Sequence, residues 1–263
     1  MSEPAHELPA VTLIARDGGA FVELRLARPP RNVLDGDALD TLAVLAASVT
    51  SPAHAHARAI LLTADGPNFS VGASVPEHAR AHAGAMLHRF HRAVRALLAC
   101  DLPIVAAVRG HCLGGGLELA TLATRIIAHP NAQLGQPEIR LGALAPVASL
   151  LLPRRLGQAG AEDLLLSGRS VDAASALALG LVNELSDGPE IAAAAWIRAA
   201  LVPHSASSLR LATRAARAGL RRDLDELLPA LERLYADVLS PTHDAEEGVR
   251  AFADKRAPRW EHR

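Results

Sequence analysis

The chain has 263 residues, half of them hydrophobic, with 27 Lys and Arg against 28 Asp and Glu and a formal net charge of −1. That supply of apolar side chains fills a core and excludes a largely disordered chain. Balanced charge and only 3% aromatic residues exclude a basic or aromatic platform for nucleic acid and a membrane surface gripped by charge. Cys100 and Cys112 form no CxxC pair, so a reducing, cytoplasmic setting is expected. No secretory signal is visible near Met1, and Arg, His or Asp interrupts each apolar run before it could span a bilayer.

In chain order, residues 11–16 and 20–27 read as two strands around a tight turn at Asp17-Gly18-Gly19. Asp37 to Val49 has helical spacing, and Ala59 to Thr63 reads as a buried strand. Residues 77–99 read as a helix with Met86, Phe90, Val94 and Leu97 on one face. Pro103 to Val108 is a strand broken by glycines, Leu117 to Ala123 a helix inside the core, and Arg125 to Ala128 a further strand. From about residue 157 helices follow one another. Asp172 caps a helix that Gly180 ends, Pro189 stands at a first helical position, and Ser205 or Ser207 starts a helix that stops at Gly219. Segments 223–239 and 242–254 complete the series. The expectation is an α/β core over residues 1–204 and a helical region over 205–263.

The most informative stretch is His111-Cys112-Leu113-Gly114-Gly115-Gly116-Leu117-Glu118. It joins a strand to a buried helix through three glycines, which weaken a helix start unless something approaches the backbone closely. The N–H groups there have no intrahelical partners and suit a forming oxyanion; a tight packing turn is the plainer reading. The spacing matches no nucleotide-binding glycine motif and no GxSxG elbow.

Glu118 falls in the first turn of the apolar helix, where the dipole favours its charge and burial opposes it. Glu138, between Pro137 and Ile139 in a glycine-punctuated loop, is a second acid. Two acids near one anion-accepting turn fit general acid–base chemistry better than either alone.

At these residues the chain resembles the crotonase (enoyl-CoA hydratase/isomerase) superfamily. The matching segments are 69–74 (Phe-Ser-Val-Gly-Ala-Ser), 111–120, Gly135-Gln136-Pro137-Glu138, and the ending Glu247-Gly248, Ala251-Phe252 and Lys255-Arg256-Ala257-Pro258. The resemblance implies an α/β spiral of ββα units with a C-terminal helical oligomerisation region, assembled as a homotrimer or dimer of trimers. It implies an acyl-CoA thioester substrate, with coenzyme A as part of the substrate and no separate cofactor or metal. The N–H groups of Ala73 and Gly115 would form an oxyanion hole for the thioester oxygen. Glu118 and Glu138 match the acid–base pair of true hydratases, whereas members that only isomerise double bonds commonly keep one. Gly72, Ser74, Gly114, Gly116 and Pro146 would border the substrate, and Lys255 with Arg256 would reach the CoA phosphates.

Ser74 and the run Ala145-Pro146-Val147-Ala148-Ser149 depart from ordinary fatty-acid hydratases. In that combination the chain is similar to hydratases of cyclic dienoyl-CoA thioesters from anaerobic aromatic degradation. Two other functions stand beside hydration: double-bond isomerisation or other enolate-forming chemistry, and RNA binding by a fold without turnover, which scarce aromatics disfavour.

His78 with His82 and His88 with His91 could each share a helix face, but no third ligand joins either pair. Both are expected on a solvated face. Cys112 reads as a small buried hydrophobe rather than a nucleophile, and His111 as a local structural residue.

Overall fold

The structure is a computed structural model and describes residues 9–263. Strands β1 (Val11–Arg16) and β2 (Phe21–Leu26) pair antiparallel across a 3-10 turn at Asp17–Gly19. Helix α1 (Gly36–Ser48) starts where Asp35 accepts from the Ala38 N–H at 2.9 Å, and leads to β3 (Ile60–Ala64), parallel to β2. Helix α2 (Arg80–Ala99) then returns the chain to β4 (Ile104–Val108), parallel to β3.

Next come β5 (His111–Leu113), α3 (Gly115–Thr121), β6 (Arg125–Ala128) and β7 (Gln133–Gly135). Helix α4 (Pro146–Ser167), β8 (Ser170–Asp172), α5 (Ala173–Ala178), β9 (Glu184–Leu185) and α6 (Pro189–Ala200) follow. The C-terminal helices are α7 (Ala206–Ala216), α8 (Ala218–Arg233) and α9 (His243–Ala253), with a π-helical turn at Leu234–Leu239. The large sheet runs β1-β2-β3-β4-β6-β9 and a small one β5-β7-β8, the α/β spiral anticipated from the sequence.

The sequence of β4, Ile-Val-Ala-Ala-Val, is apolar throughout because both faces are covered. Ile104, Ala106 and Val108 pack into a cluster with Leu39 and Leu42 of α1 and Val94 and Leu97 of α2. Val105 and Ala107 face the other way, onto Ala193 and Ile197 of α6. Leu224 and Leu228 of α8 belong to the first cluster, so this C-terminal helix shares the main core. No described helix is long and apolar enough to cross a membrane.

Several local expectations need correction. The glycine segment contains the three-residue strand β5, too short to show a periodicity. The helix expected from residue 77 starts at Arg80, because Ala79 is extended (ψ 143°) after a 3-10 turn at Val75–His78. Helix α4 starts well before residue 157, and Gly157 (φ 71°) kinks it. Gly219 lies inside α8 instead of ending α7; the break falls at Arg217. The caps at Asp172 and Ser205 and the first-turn Pro189 stand as expected.

Candidate functional site

Ser70 ties the two halves of the site together. Its N–H donates to His111 O (3.0 Å) and its carbonyl accepts from Leu113 N (2.9 Å), so the 69–74 segment runs beside β5. Its hydroxyl donates to Asn32 O (2.7 Å) and accepts from Gly72 N (3.0 Å). This register brings Ala73 next to Gly115: a Cβ built on Gly115 would stand 3.4 Å from Ala73 N. Among the described residues neither Ala73 nor Gly115 donates its N–H to another segment. Two unpaired N–H groups thus sit side by side, one of them at the first position of α3.

Gly114, at φ 52° and ψ −127°, makes the turn into α3, a conformation that L side chains rarely adopt. It also admits Glu138: a Cβ at Gly114 would lie 2.5 Å from Glu138 Oε1. Gly135 O and the side-chain amide of Gln136, oriented to satisfy its neighbours, hold this turn by accepting from Gly114 N (2.9 Å) and donating to Gly114 O (2.9 Å).

Glu118 is buried in α3, and its Oε1 accepts the Ala148 N–H at 2.7 Å. Burial pushes its carboxyl well above the usual carboxylate range, while the Ala148 and Val147 N–H groups, at the start of α4, pull it back. Glu138 sits in the 3-10 turn Pro137–Leu141, its Oε2 sealed from solvent and without a partner. Burial raises its carboxyl also, and the charge of Glu118 raises it further. The two acids form a desolvated pair in which one negative charge opposes a second; Glu118 takes N–H donors from α4, whereas Glu138 has only its own backbone N–H. A proton can be held at Glu138 while Glu118 remains ready to accept one.

A cavity of about 630 Å³ reaches Glu138 and Ala73, whereas Glu118 and Gly115 are not part of its wall. Its wall includes Gly72, Ala73, Ser74, Gly114 and Glu138, together with the apolar Val33, Val71, Leu113 and Phe252. Gly116 and Pro146 are not part of that wall. Gly116 is buried against Ser70, where a Cβ on the glycine would stand 2.7 Å from the Ser70 Cβ, and Pro146 is buried at the start of α4. Lys255 is exposed in the turn after α9, three residues beyond the cavity-lining Phe252. Arg256 is engaged by Glu247, with Nη1 to Oε1 at 2.5 Å and Nη2 to Oε2 at 2.9 Å, which ties down its guanidinium.

The histidines divide in a way that helical spacing does not reveal. His82 and His88 are exposed as expected, but His91 is buried against Glu232, and His78 lines the cavity. The expected solvated face requires one continuous helix from residue 77, and the extended Ala79 removes His78 from that register. Arg31 and Arg140 border the cavity as well, and neither stands in a sequence pattern that points to a site. Cys112 is fully buried, and burial pushes its thiol up, away from the nucleophilic form. Among the described residues no three metal-ligating side chains converge.

A family description, Enoyl-CoA hydratase/isomerase, matches residues 17–263. The chain is 46% identical over 264 residues to cyclohexa-1,5-dienecarbonyl-CoA hydratase of Thauera aromatica, covering 100% of both. It is 32% identical over 214 residues to the mitochondrial methylglutaconyl-CoA hydratase of Rattus norvegicus, covering 77% of this chain and 67% of that one. The crystal structure of an enoyl-CoA hydratase from Mycobacterium avium subsp. paratuberculosis superposes with a TM-score of 0.82 at 25% identity, over 95% of this chain and 98% of that chain.

Proposed function

The chain belongs to the enoyl-CoA hydratase/isomerase family, and from that premise we propose that it hydrates a dienoyl-CoA thioester with Glu118 and Glu138 as its acid–base pair. The observation that carries this reading is the desolvated carboxyl pair beside the unpaired N–H groups of Ala73 and Gly115. The thioester oxygen accepts those two N–H bonds, which draws electron density from the conjugated double bond. Glu118 takes a proton from water as the water oxygen bonds to the electron-poor carbon. The electron pair moves onto the thioester oxygen as an enolate, held by the two donors. Glu138 then delivers its proton to the carbon beside the carbonyl, and the proton on Glu118 returns to Glu138 through the next water. One oxyanion donor contributes about 10²–10³ in rate and a positioned acid or base about 10²–10⁴.

The acyl group we favour is a cyclic diene, since the full-length relative is a cyclohexa-1,5-dienecarbonyl-CoA hydratase. The run Ala145 to Ser149 starts α4 and supplies the N–H that binds Glu118. Coenzyme A enters as part of the substrate. Arg31 and Arg140 at the cavity, with Lys255 nearby, are the cations we assign to its phosphates. We also propose association as a homotrimer or dimer of trimers, the stoichiometry that the family resemblance implies, through the C-terminal helices, where Leu211, Leu227 and Val238 are exposed; light scattering on the purified protein reads the mass directly.

The activity is tested with crotonyl-CoA and cyclohexa-1,5-diene-1-carbonyl-CoA, followed by product mass. A gain of one water is expected with the cyclic dienoyl thioester. Double-bond movement at constant mass would replace hydration by isomerisation.

A further inference from the structure

Behind the cavity wall lies a small cluster distinct from the main core. Tyr235 is buried there among Ala83, Met86, Leu87 and Ala143, with Ala73 and Leu141 packed against it. Ala73 and Leu141 also line the cavity, so this cluster forms the floor beneath it. Tyr235 stands on the π-helical turn Leu234–Leu239, a local irregularity that shifts a side chain out of α-helical register. Its hydroxyl meets His78 Nδ1 at 2.6 Å, and His78 itself forms part of the cavity wall. Burial holds the imidazole down at about 4, hence neutral, and the Tyr235 hydroxyl is raised by burial and by the charges of Glu138 and Glu118. His78 and Glu138 thus share the wall of one cavity, with Tyr235 packed behind His78.

We propose that the hydrogen-bonded His78–Tyr235 pair closes the acyl end of the cavity and restricts it to compact acyl groups. The inference rests on reading this cavity as an acyl-CoA site. A neutral imidazole with one ring nitrogen occupied by Tyr235 is a stiff wall, because moving the ring aside leaves a buried phenol without its partner. An extended saturated chain has to displace that ring to pass; a ring bonded directly to the thioester carbonyl does not. The pair is thus a specificity device for the same reaction, separate from the two carboxylates.

The test measures kcat and KM for crotonyl-, hexenoyl-, decenoyl- and cyclohexa-1,5-diene-1-carbonyl-CoA in the wild type, His78→Ala, His78→Gln and Tyr235→Phe. In His78→Ala the ratio of kcat/KM for decenoyl- over crotonyl-CoA should rise by about tenfold or more, mainly through KM, as expected for opening a pocket by several methylenes. Tyr235→Phe removes one oxygen without changing ring shape and should move the ratio in the same direction by less, and His78→Gln should return it toward wild type. An unmoved ratio in Tyr235→Phe and His78→Ala overturns the inference. So does an equal loss across the whole series, the mark of a merely structural role. If the wild type hydrates no member of the series, the proposed activity falls as well; if it hydrates them and the ratio stays fixed, only the pocket inference falls.

Discussion

The backbone N–H of Ala148 donates to Glu118 Oε1 at 2.7 Å, joining the first turn of α4 to the buried acid of α3. This bond lets a carboxylate persist in a desolvated site, because it favours the charged form that burial opposes. Glu118→Gln keeps the shape and an acceptor for Ala148 but removes the base, and hydration should drop by about 10²–10⁴. Glu118→Asp keeps the charge and withdraws it from Ala148; it should also lose at least about 10² in kcat. Near wild-type turnover in either variant would remove Glu118 from the chemistry.

Glu138 titrates higher partly because Glu118 is charged nearby. Glu118→Gln removes that repulsion, so the Glu138 carboxyl should titrate lower than in the wild type while staying above the ordinary range through burial. A carbon-13 NMR titration of glutamate-labelled protein follows the carboxyl resonance. A Glu138 midpoint that does not fall would show that the two acids do not sense one another.

The same pair costs stability at high pH. Both folded carboxyls are raised above their unfolded values, so the folded state binds more protons than the unfolded state between the ordinary carboxylate range and about pH 8. Their contribution is therefore intact in acid, falls as pH rises through that window, and is lost above it. Replacing Glu138 by Gln removes a buried charge whose Oε2 has no partner, and should stabilise the protein by about 1–3 kcal/mol at pH 9 and by little near pH 4. Thermal melts at the two pH values check this; an equal Tm difference at both would exclude ionisation as its source.

Gly114 joins backbone conformation to catalysis. At φ 52° an alanine is strained, and its methyl would stand 2.5 Å from Glu138 Oε1. Gly114→Ala should cost about 1–2 kcal/mol of stability. By pushing Glu138 off its position it should also reduce kcat by about 10². Denaturant unfolding and steady-state kinetics separate the two effects, and full activity with lowered stability would mean that the carboxylate tolerates displacement.

How much of this is legible in sequence depends on the range of the signal. The buried strand Ile104–Val108 and the glycine turn before α3 are readable, because apolar runs and glycine clusters are local. Glu118 and Glu138 are readable as acids, but their shared environment comes from the Ser70 bonds to β5 and from α4, thirty residues away from Glu118 in sequence. The role of Ala148 has no sequence signal, since any residue except proline supplies an N–H. Helical spacing puts His78 on a solvated face because nothing in Glu77-His78-Ala79-Arg80 announces the extended residue that ends the 3-10 turn. Its partner Tyr235 lies 157 residues further on, beyond the reach of periodicity.

The far end of α3 carries the last prediction. Its terminal carbonyls have no intrahelical donors, and the guanidinium groups of half-buried Arg155 and buried Arg217 meet them: Arg155 Nε donates to Thr121 O at 3.1 Å, and Arg217 Nη2 to Leu122 O at 3.2 Å. Arg217 Nη1 also donates to Leu102 O at 3.2 Å, which fixes α3 against the start of β4. Burial draws both guanidinium groups down to about 10, and they stay charged at neutral pH. A methionine at 217 fills similar volume but leaves buried carbonyls unpaired, and should destabilise the fold by about 2–4 kcal/mol. Because α3 carries Gly115 at one end and Arg217 holds the other, kcat should fall in Arg217→Met with KM little changed. Urea unfolding and kinetics at a temperature well below the Tm measure both. Wild-type stability in Arg217→Met would mean that other donors or water satisfy these carbonyls, and the helix would then be held by packing alone.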